Sequence, residues 1–195
     1  MPSGSRDYNL TQSRHTSSPQ WTLLGCGALG GVFASLLTQS GQATRVLLRE
    51  RHRSTLHPGI DFTSLEGHTQ LINIERGFIS QPGQVKRLLV MTKAGQVIEA
   101  LTPLVGQLAT DVPIVLLHNG MGIAEQVVTL FLHNPIIAGV TSHGAMQSGH
   151  FVFRHTGKGE TWLGPVNEAA RAHAALADDL AAALGQAGWD EQIQA

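Results

Sequence analysis

Short apolar runs alternate with longer stretches in which apolar positions recur every three or four residues, and this alternation organises the chain from about residue 20 onward. The run from Gln20 to Leu24 reads as a strand. From Ala28 to Ser40, Leu29, Val32, Phe33, Leu36 and Leu37 fall on one stripe at helical spacing, and Gly41 is placed to stop that helix. Arg45 to Arg49 is apolar at its centre, as a strand buried on both faces is. Between Gly59 and Phe78 the pattern changes. Ile60, Phe62, Leu65, Leu71, Ile72 and Ile74 flank Glu66-Gly67, which predicts a β-hairpin in the place of a second crossover helix. Lys86 to Met91 is the next strand. Val97, Ile98 and Leu101 then share a helical face, and Thr102-Pro103 fits the N-cap and first position of a second helical piece through Leu108. Pro113 to Leu117 is another buried strand, Ile123 to Leu132 a helix, and Ile136 to Thr141 and His150 to Arg154 strands. Asn167 to Leu184 predicts one long Ala-rich helix, with Leu176, Leu180 and Leu184 at i, i+4 and i+8 and Gly185 as its end.

Strands alternating with helices predict an α/β fold, a Rossmann-type doubly wound and mainly parallel sheet covered on both faces. Residues 1–20 are polar and aperiodic and are expected to form a disordered N-terminal arm, leaving residues 21–195 as one dinucleotide-binding (Rossmann-like) domain for the reasons given below. Composition narrows the partners. Hydrophobic residues make up 42% of the chain, enough for a core, and the formal net charge of −1 implies neither a nucleic-acid nor a membrane-surface partner. No apolar run reaches the roughly 18–20 residues needed to span a bilayer, and no secretory segment is evident, which points to the cytoplasm. The single cysteine, Cys26, excludes an intrachain disulfide. Ten histidines are scattered without H-x-x-x-H or H-E-x-x-H spacing, so no metal site is expected.

Chemistry enters at Gly25-Cys26-Gly27-Ala28-Leu29-Gly30, between the first strand and the first helix. In that context the G-x-G-x-x-G pattern is a dinucleotide-binding fingerprint; out of context it is a glycine-rich turn. The first glycine permits the tight turn, the second lets backbone approach a pyrophosphate, and the third lets helix pack on strand. In such sheets ligands lie beyond the C-terminal strand ends, which directs attention to three further places. The second strand runs into Arg49-Glu50-Arg51-His52-Arg53. An acid at this position holds the ribose 2′-OH of NAD, an arginine the 2′-phosphate of NADP, and three arginines against one glutamate favour NADP. Lys93, past the next strand, either snorkels to water or gives a point charge to a phosphate. Asn119, in His118-Asn119-Gly120-Met121-Gly122, is either a turn residue or an amide that holds a ribose or substrate hydroxyl.

Together, the glycine loop, Thr92-Lys93-Ala94-x-Gln96, His118-Asn119-Gly120-Met121-Gly122 and Gly139-x-Thr141-x-His143-Gly144-Ala145 resemble, in this order, the ketopantoate reductase (2-dehydropantoate 2-reductase) family. Trp162-Leu163-Gly164-Pro165 also resembles it, and the likeness covers about residues 21–195. The resemblance implies NADPH-dependent reduction of ketopantoate, a small 2-keto acid, to pantoate in pantothenate biosynthesis. It puts Gly25, Cys26, Gly27, Ala28, Leu29 and Gly30 on the pyrophosphate. Arg49 and Lys93 fall near the adenosine 2′-phosphate, Asn119 near the nicotinamide ribose and the substrate hydroxyl, and a turn at Ala145 in the nicotinamide pocket. It also implies a second, all-helical domain carrying the catalytic lysine, the general acid, in a motif expected beyond Ala195; Lys86, Lys93 and Lys158 do not match it, so no catalytic residue is assigned in this chain.

Two other classes fit the glycine loop. One is a non-catalytic NADP(H)-binding or sensing module. The other is an S-adenosylmethionine-dependent methyltransferase, against which the basic run at Arg49 counts, because that cofactor's ribose hydroxyls call for an acid. A reductase of another branched 2-keto acid is a variant of the first reading. The isolated chain is expected to bind NADPH without turnover. An apolar face around Leu176 and Leu180, left for the helical domain, is expected to make it self-associate.

Overall fold

The computed structural model describes residues 20–52, 58–118, 120, 122–173, 175–186 and 193–194. The arm expected at residues 1–20 lies, but for Gln20, outside them. The strands are β1 (Trp21–Leu24), β2 (Thr44–Leu48), β3 (Ile60–Thr63), β4 (Thr69–Ile72), β5 (Glu75–Phe78), β6 (Leu88–Val90), β7 (Ile114–Leu117), β8 (Ile136–Thr141), β9 (Gly144–Gly149), β10 (Val152–Gly157), β11 (Thr161–Pro165) and β12 (Ile193–Gln194). The helices are α1 (Ala28–Gln39), α2 (Val97–Leu101), α3 (Ile123–Leu130), α4 (Glu168–Arg171) and α5 (Ala175–Gln186).

Continuous apolar runs arise where a strand is buried on both faces, and that is the case in the main sheet. Its order is β12-β11-β8-β7-β6-β1-β2-β5. The strands from β8 to β5 are all parallel, and β11 runs antiparallel to β8. Alternate residues supply two cores. Leu23, Val46, Leu89, Val115 and Ile137 pack with Val32, Phe33 and Leu36 of α1 and with Leu180 of α5. Leu24, Leu47, Leu88, Ile114 and Ile136 pack on the other side with Val97 and Leu101 of α2 and Val127 of α3. Helices on both faces of a parallel sheet make this a doubly wound Rossmann-like fold.

The hairpin predicted around Glu66-Gly67 forms, with Ile60 opposite Ile72 and Thr63 opposite Thr69. It belongs to a second, four-stranded sheet of order β4-β3-β10-β9, and β5 then returns the chain to the main sheet beside β2. This second sheet lies against α1. A Cβ at Gly31 would stand 2.2 Å from the Phe153 ring, so only glycine lets β10 come this close.

Four expectations are corrected. The stretch from Asn167 is two helices, Glu168–Arg171 and Ala175–Gln186, with a turn at residues 172–173 after the first. Asn167 caps α4, its Oδ1 accepting from the Ala170 N–H, and the same oxygen also accepts from Ile136. Leu176 and Leu180 are buried in the core rather than exposed, so they offer no apolar face for self-association; among the described residues the large exposed apolar ones are Val105, Leu132, Val140, Met146 and Trp162. Thr102 is no N-cap. Its hydroxyl donates back to the Ile98 carbonyl at 2.7 Å, and residues 102–104 form a single 3-10 turn that ends well before Leu108. Ala145 lies on a strand, β9, rather than on a turn. Among the described residues no helix is long and apolar enough to cross a membrane.

Candidate functional site

The C-terminal ends of β1, β2, β6 and β7, together with β9 and the β9–β10 turn, line a cleft of about 800 Å³. The glycine loop forms its floor, and its three glycines are required for three different reasons. Gly25 has φ +103°, and a Cβ there would meet Thr92 Cγ2 at 2.8 Å and Thr92 N at 2.9 Å. At Gly30 a Cβ would fall 2.1 Å from the Gly25 carbonyl oxygen, so this glycine seats α1 against β1. Gly27 differs: nothing lies within 4 Å of the position its Cβ would take. It is the N-cap of α1 without a side-chain cap, and Ala28 and Leu29 follow it along the cleft wall. First-turn N–H groups lack intrahelical partners, so a helix beginning here presents donors and a partial positive charge to the cleft. Packing therefore fixes Gly25 and Gly30, whereas Gly27 is exposed and its Cβ side is open. Burial pushes the Cys26 thiol up to about 12, so it is no thiolate nucleophile at neutral pH.

The segment after β2 brings Arg49, Arg51 and His52 to the rim. Arg49 lies 3.7 Å from the largely exposed Glu99 carboxylate of α2. Glu50 does not line the cleft; its carboxylate accepts a hydrogen bond from the Ser80 hydroxyl. Arg53 lies outside the described residues. The His52 ring stacks on His150, from the β9–β10 turn, with centroids 5.5 Å apart.

Past β6, Thr92 and Lys93 line the cleft, and the buried Thr92 hydroxyl has no hydrogen-bond partner. His118, at the end of β7, has both ring nitrogens buried and unpartnered, and desolvation holds its pKa below the ordinary value. Asn119 lies outside the described residues. Ala145 lines the cleft from β9. Behind it, His143 Nδ1 and His155 Nε2 are 3.2 Å apart in a buried pair, and burial first, then the neighbouring His143, brings His155 down to about 4. The structure thus brings the glycine loop, Arg49, Lys93 and Ala145 around one cavity. Gln147, His150 and Phe151 join it without any signal in the sequence, because they come from the second sheet. Orphaned polar atoms at Thr92 and His118, with the open space at Gly27, suit a long polar ligand carrying phosphates at the loop.

Residues 21–168 match the family described as Ketopantoate reductase PanE/ApbA. Among curated proteins, the chain is similar to 2-dehydropantoate 2-reductase of Salmonella typhimurium (32% identical, 89% of this chain, 55% of the relative). It is likewise similar to that of Yersinia pestis (34% identical, 89% and 55%). Among solved structures it resembles 2-dehydropantoate 2-reductase from Geobacter metallireducens (TM-score 0.70, 28% identity, 89% of this chain and 57% of that one). It shares its fold with D-mandelate dehydrogenase bound to NADH and anilino(oxo)acetate (TM-score 0.74, 22% identity, 89% and 56%). The chain spans about half the length of the curated relatives it matches.

Proposed function

The chain belongs to the ketopantoate reductase family, and on that premise we propose that residues 21–195 supply the NADP(H)-binding domain of an enzyme that reduces ketopantoate to pantoate. One observation carries the reading: a strand–glycine loop–helix unit, packed so that only glycine fits at positions 25 and 30, forms the floor of a cleft that Arg49, Lys93 and Ala145 also line. When bound, the reduced nicotinamide supplies the hydride for the ketone carbon. This chain's residues bind and orient. The loop N–H groups hold the pyrophosphate, and the fixed packing of Gly25 and Gly30 keeps them aimed. Arg49 and Arg51 pair with the adenosine 2′-phosphate; Glu50, engaged by Ser80, does not compete for a ribose hydroxyl. Lys93 adds a point charge beside that phosphate. Asn119 takes the nicotinamide ribose and the substrate hydroxyl, and Ala145 lines the nicotinamide pocket. The general acid is a lysine from the further length that the relatives possess.

The test is titration of the chain with NADPH and NADH, in wild type and Arg49→Ala. One lost charge-assisted hydrogen bond, roughly 1.5–3 kcal/mol, weakens NADPH about 10- to 150-fold, with NADH unchanged. Equal affinity of the wild type for both cofactors would overturn the NADP assignment. Ketopantoate-dependent NADPH oxidation by residues 1–195 alone would overturn the division of labour between two domains. Binding without turnover even when the remaining length is joined would favour the sensing module.

A further inference from the structure

Two imidazoles meet at the basic rim of the cleft although they come from different sheets. His52 follows β2 of the main sheet, and His150 sits in the β9–β10 turn of the second. Their rings stack at 5.5 Å with 26° between planes, and both line the cleft with Arg49 and Arg51. The His150 ring is held from behind by Phe151, edge-on at 4.6 Å. Phe151 adopts φ +56°, rare for a bulky residue and a conformation that costs energy unless the surroundings fix it. Its own ring is buried and carries the Arg76 guanidinium 5.8 Å from its centroid. Arg51 Nε donates to His52 Nε2 at 3.3 Å, which requires that nitrogen to be an acceptor and the ring to be neutral.

The charges facing this pair are unbalanced. Arg49 and Arg51 lie on the same segment, and Arg76 stands over Phe151. Among the acids on the surrounding elements, Glu99 pairs with Arg49, Glu50 accepts from Ser80, and Asp61 of β3 donates its backbone N–H to the Phe151 carbonyl. A proton added to this stack in the free protein would join an array of cations. Desolvation first, then Arg51, His150 and Arg49, accordingly hold the His52 pKa below its ordinary value. A phosphate dianion among the same groups reverses the sign, because an opposite charge within about 4–6 Å favours the protonated imidazole. We propose that His52 and His150 are specificity-determining residues of the phosphate subsite, and that binding a 2′-phosphorylated dinucleotide moves a proton from solvent onto this stacked pair. The proton returns to solvent on release, and no bond of the ligand breaks. This inference rests on the dinucleotide reading above. What it adds is that the second sheet, through His150, takes part in choosing the cofactor.

Calorimetric titration of the chain with NADPH and NADH at pH 7.5, in two buffers of different ionisation enthalpy, measures protons taken up on binding. At that pH a phosphate monoester with a second pKa of about 6 is already almost wholly dianionic, so any uptake belongs to the protein. NADPH should bind with net uptake of a fraction of one proton, and NADH with none. His52→Gln and His150→Gln should each weaken NADPH on the order of tenfold at pH 6.5, as loss of a charge-assisted bond does. The loss should be smaller at pH 8.5, where the wild-type pair is less protonated, and NADH affinity should not change. Because the two variants sit on different elements, a folding defect in one leaves the other informative. NADPH binding without proton uptake, and unaltered in both variants, overturns the inference while leaving the NADP assignment standing. Equal loss of NADPH and NADH marks the pair as merely structural and also overturns it. Failure of the wild type to bind either dinucleotide sinks both readings.

Discussion

Replacing Gly27 and Gly30 one at a time separates ligand approach from helix packing, because an added side chain meets empty space at one and backbone at the other. At Gly30 the added Cβ would fall 2.1 Å from the Gly25 carbonyl oxygen, where ordinary contacts begin at 3.4 Å. The start of α1 must therefore move away from the Gly25 carbonyl. Overpacking costs about 1–3 kcal/mol, and here the obstacle is backbone that cannot rotate aside, so Gly30→Ala belongs at the upper end. At about 2–4 °C per kcal/mol for a chain of this size, the melting temperature should drop roughly 5–12 °C. At Gly27 nothing lies within 4 Å, and φ is −79°, open to any residue. Gly27→Val should cost only about 0.5–1 kcal/mol, the difference between glycine and valine as an N-cap. Its binding should nevertheless collapse. Two charge-assisted bonds from backbone to pyrophosphate, about 1.5–3 kcal/mol each, amount to roughly two to four decades of affinity. The assay pairs thermal melts followed by circular dichroism with NADPH titration by fluorescence. Wild-type affinity in Gly27→Val would refute the argument, since the open space would then not be where the ligand enters. A melt as depressed as that of Gly30→Ala would refute it as well.

Two further outcomes concern how the second sheet is held. Phe153→Ala removes the ring seated over Gly31 and should cost about 3–5 kcal/mol, the usual range for a buried aromatic; a melting temperature within 2 °C of wild type would show that β10 is not anchored there. His155, a base whose folded pKa of about 4 lies below the ordinary 6.5, makes the unfolded chain the first to bind a proton as pH falls. The stability it contributes is therefore complete above about pH 6.5 and is lost progressively toward pH 4, by up to roughly 3 kcal/mol. Melts from pH 7.5 to 4.5 should fall more steeply for wild type than for His155→Gln, and parallel curves would exclude this residue as the source.

The central strands were legible because burial on both faces leaves no room for polar residues: Trp21–Leu24 and Ile114–Leu117 are buried throughout. What failed did so where burial is partial or tertiary. β9, Gly144–Gly149, has no fully buried residue and no apolar alternation, so nothing local distinguishes it from a turn. β5 begins with Glu75 and Arg76, charges typical of an edge strand and poor evidence for a strand at all. Ala-rich composition predicts one helix from Asn167, since propensity cannot locate the break at residues 172–173. Periodicity showed that Leu176 and Leu180 share a face but not what covers it; α5 packs on the core beside α1, and that long-range contact has no local signature.

The site divides along the same line. The glycine loop, Arg49 and Lys93 follow their strands directly, so a reader who knows the sheet order can place them from spacing alone. His150 and Phe151 come from much later in the chain than the glycine loop and reach the cleft only because the second sheet folds over α1. That approach depends on Gly31, whose missing side chain gives the Phe153 ring its seat, and on the φ of +56° at Phe151 that turns the strand back. α1 therefore serves two ends of the cleft at once. Its N-terminus carries the glycine loop that forms the floor of the cleft, and its outer face carries the wall that presents His150. Glycine at both 30 and 31 is then one requirement with two directions, inward against the Gly25 carbonyl and outward against Phe153.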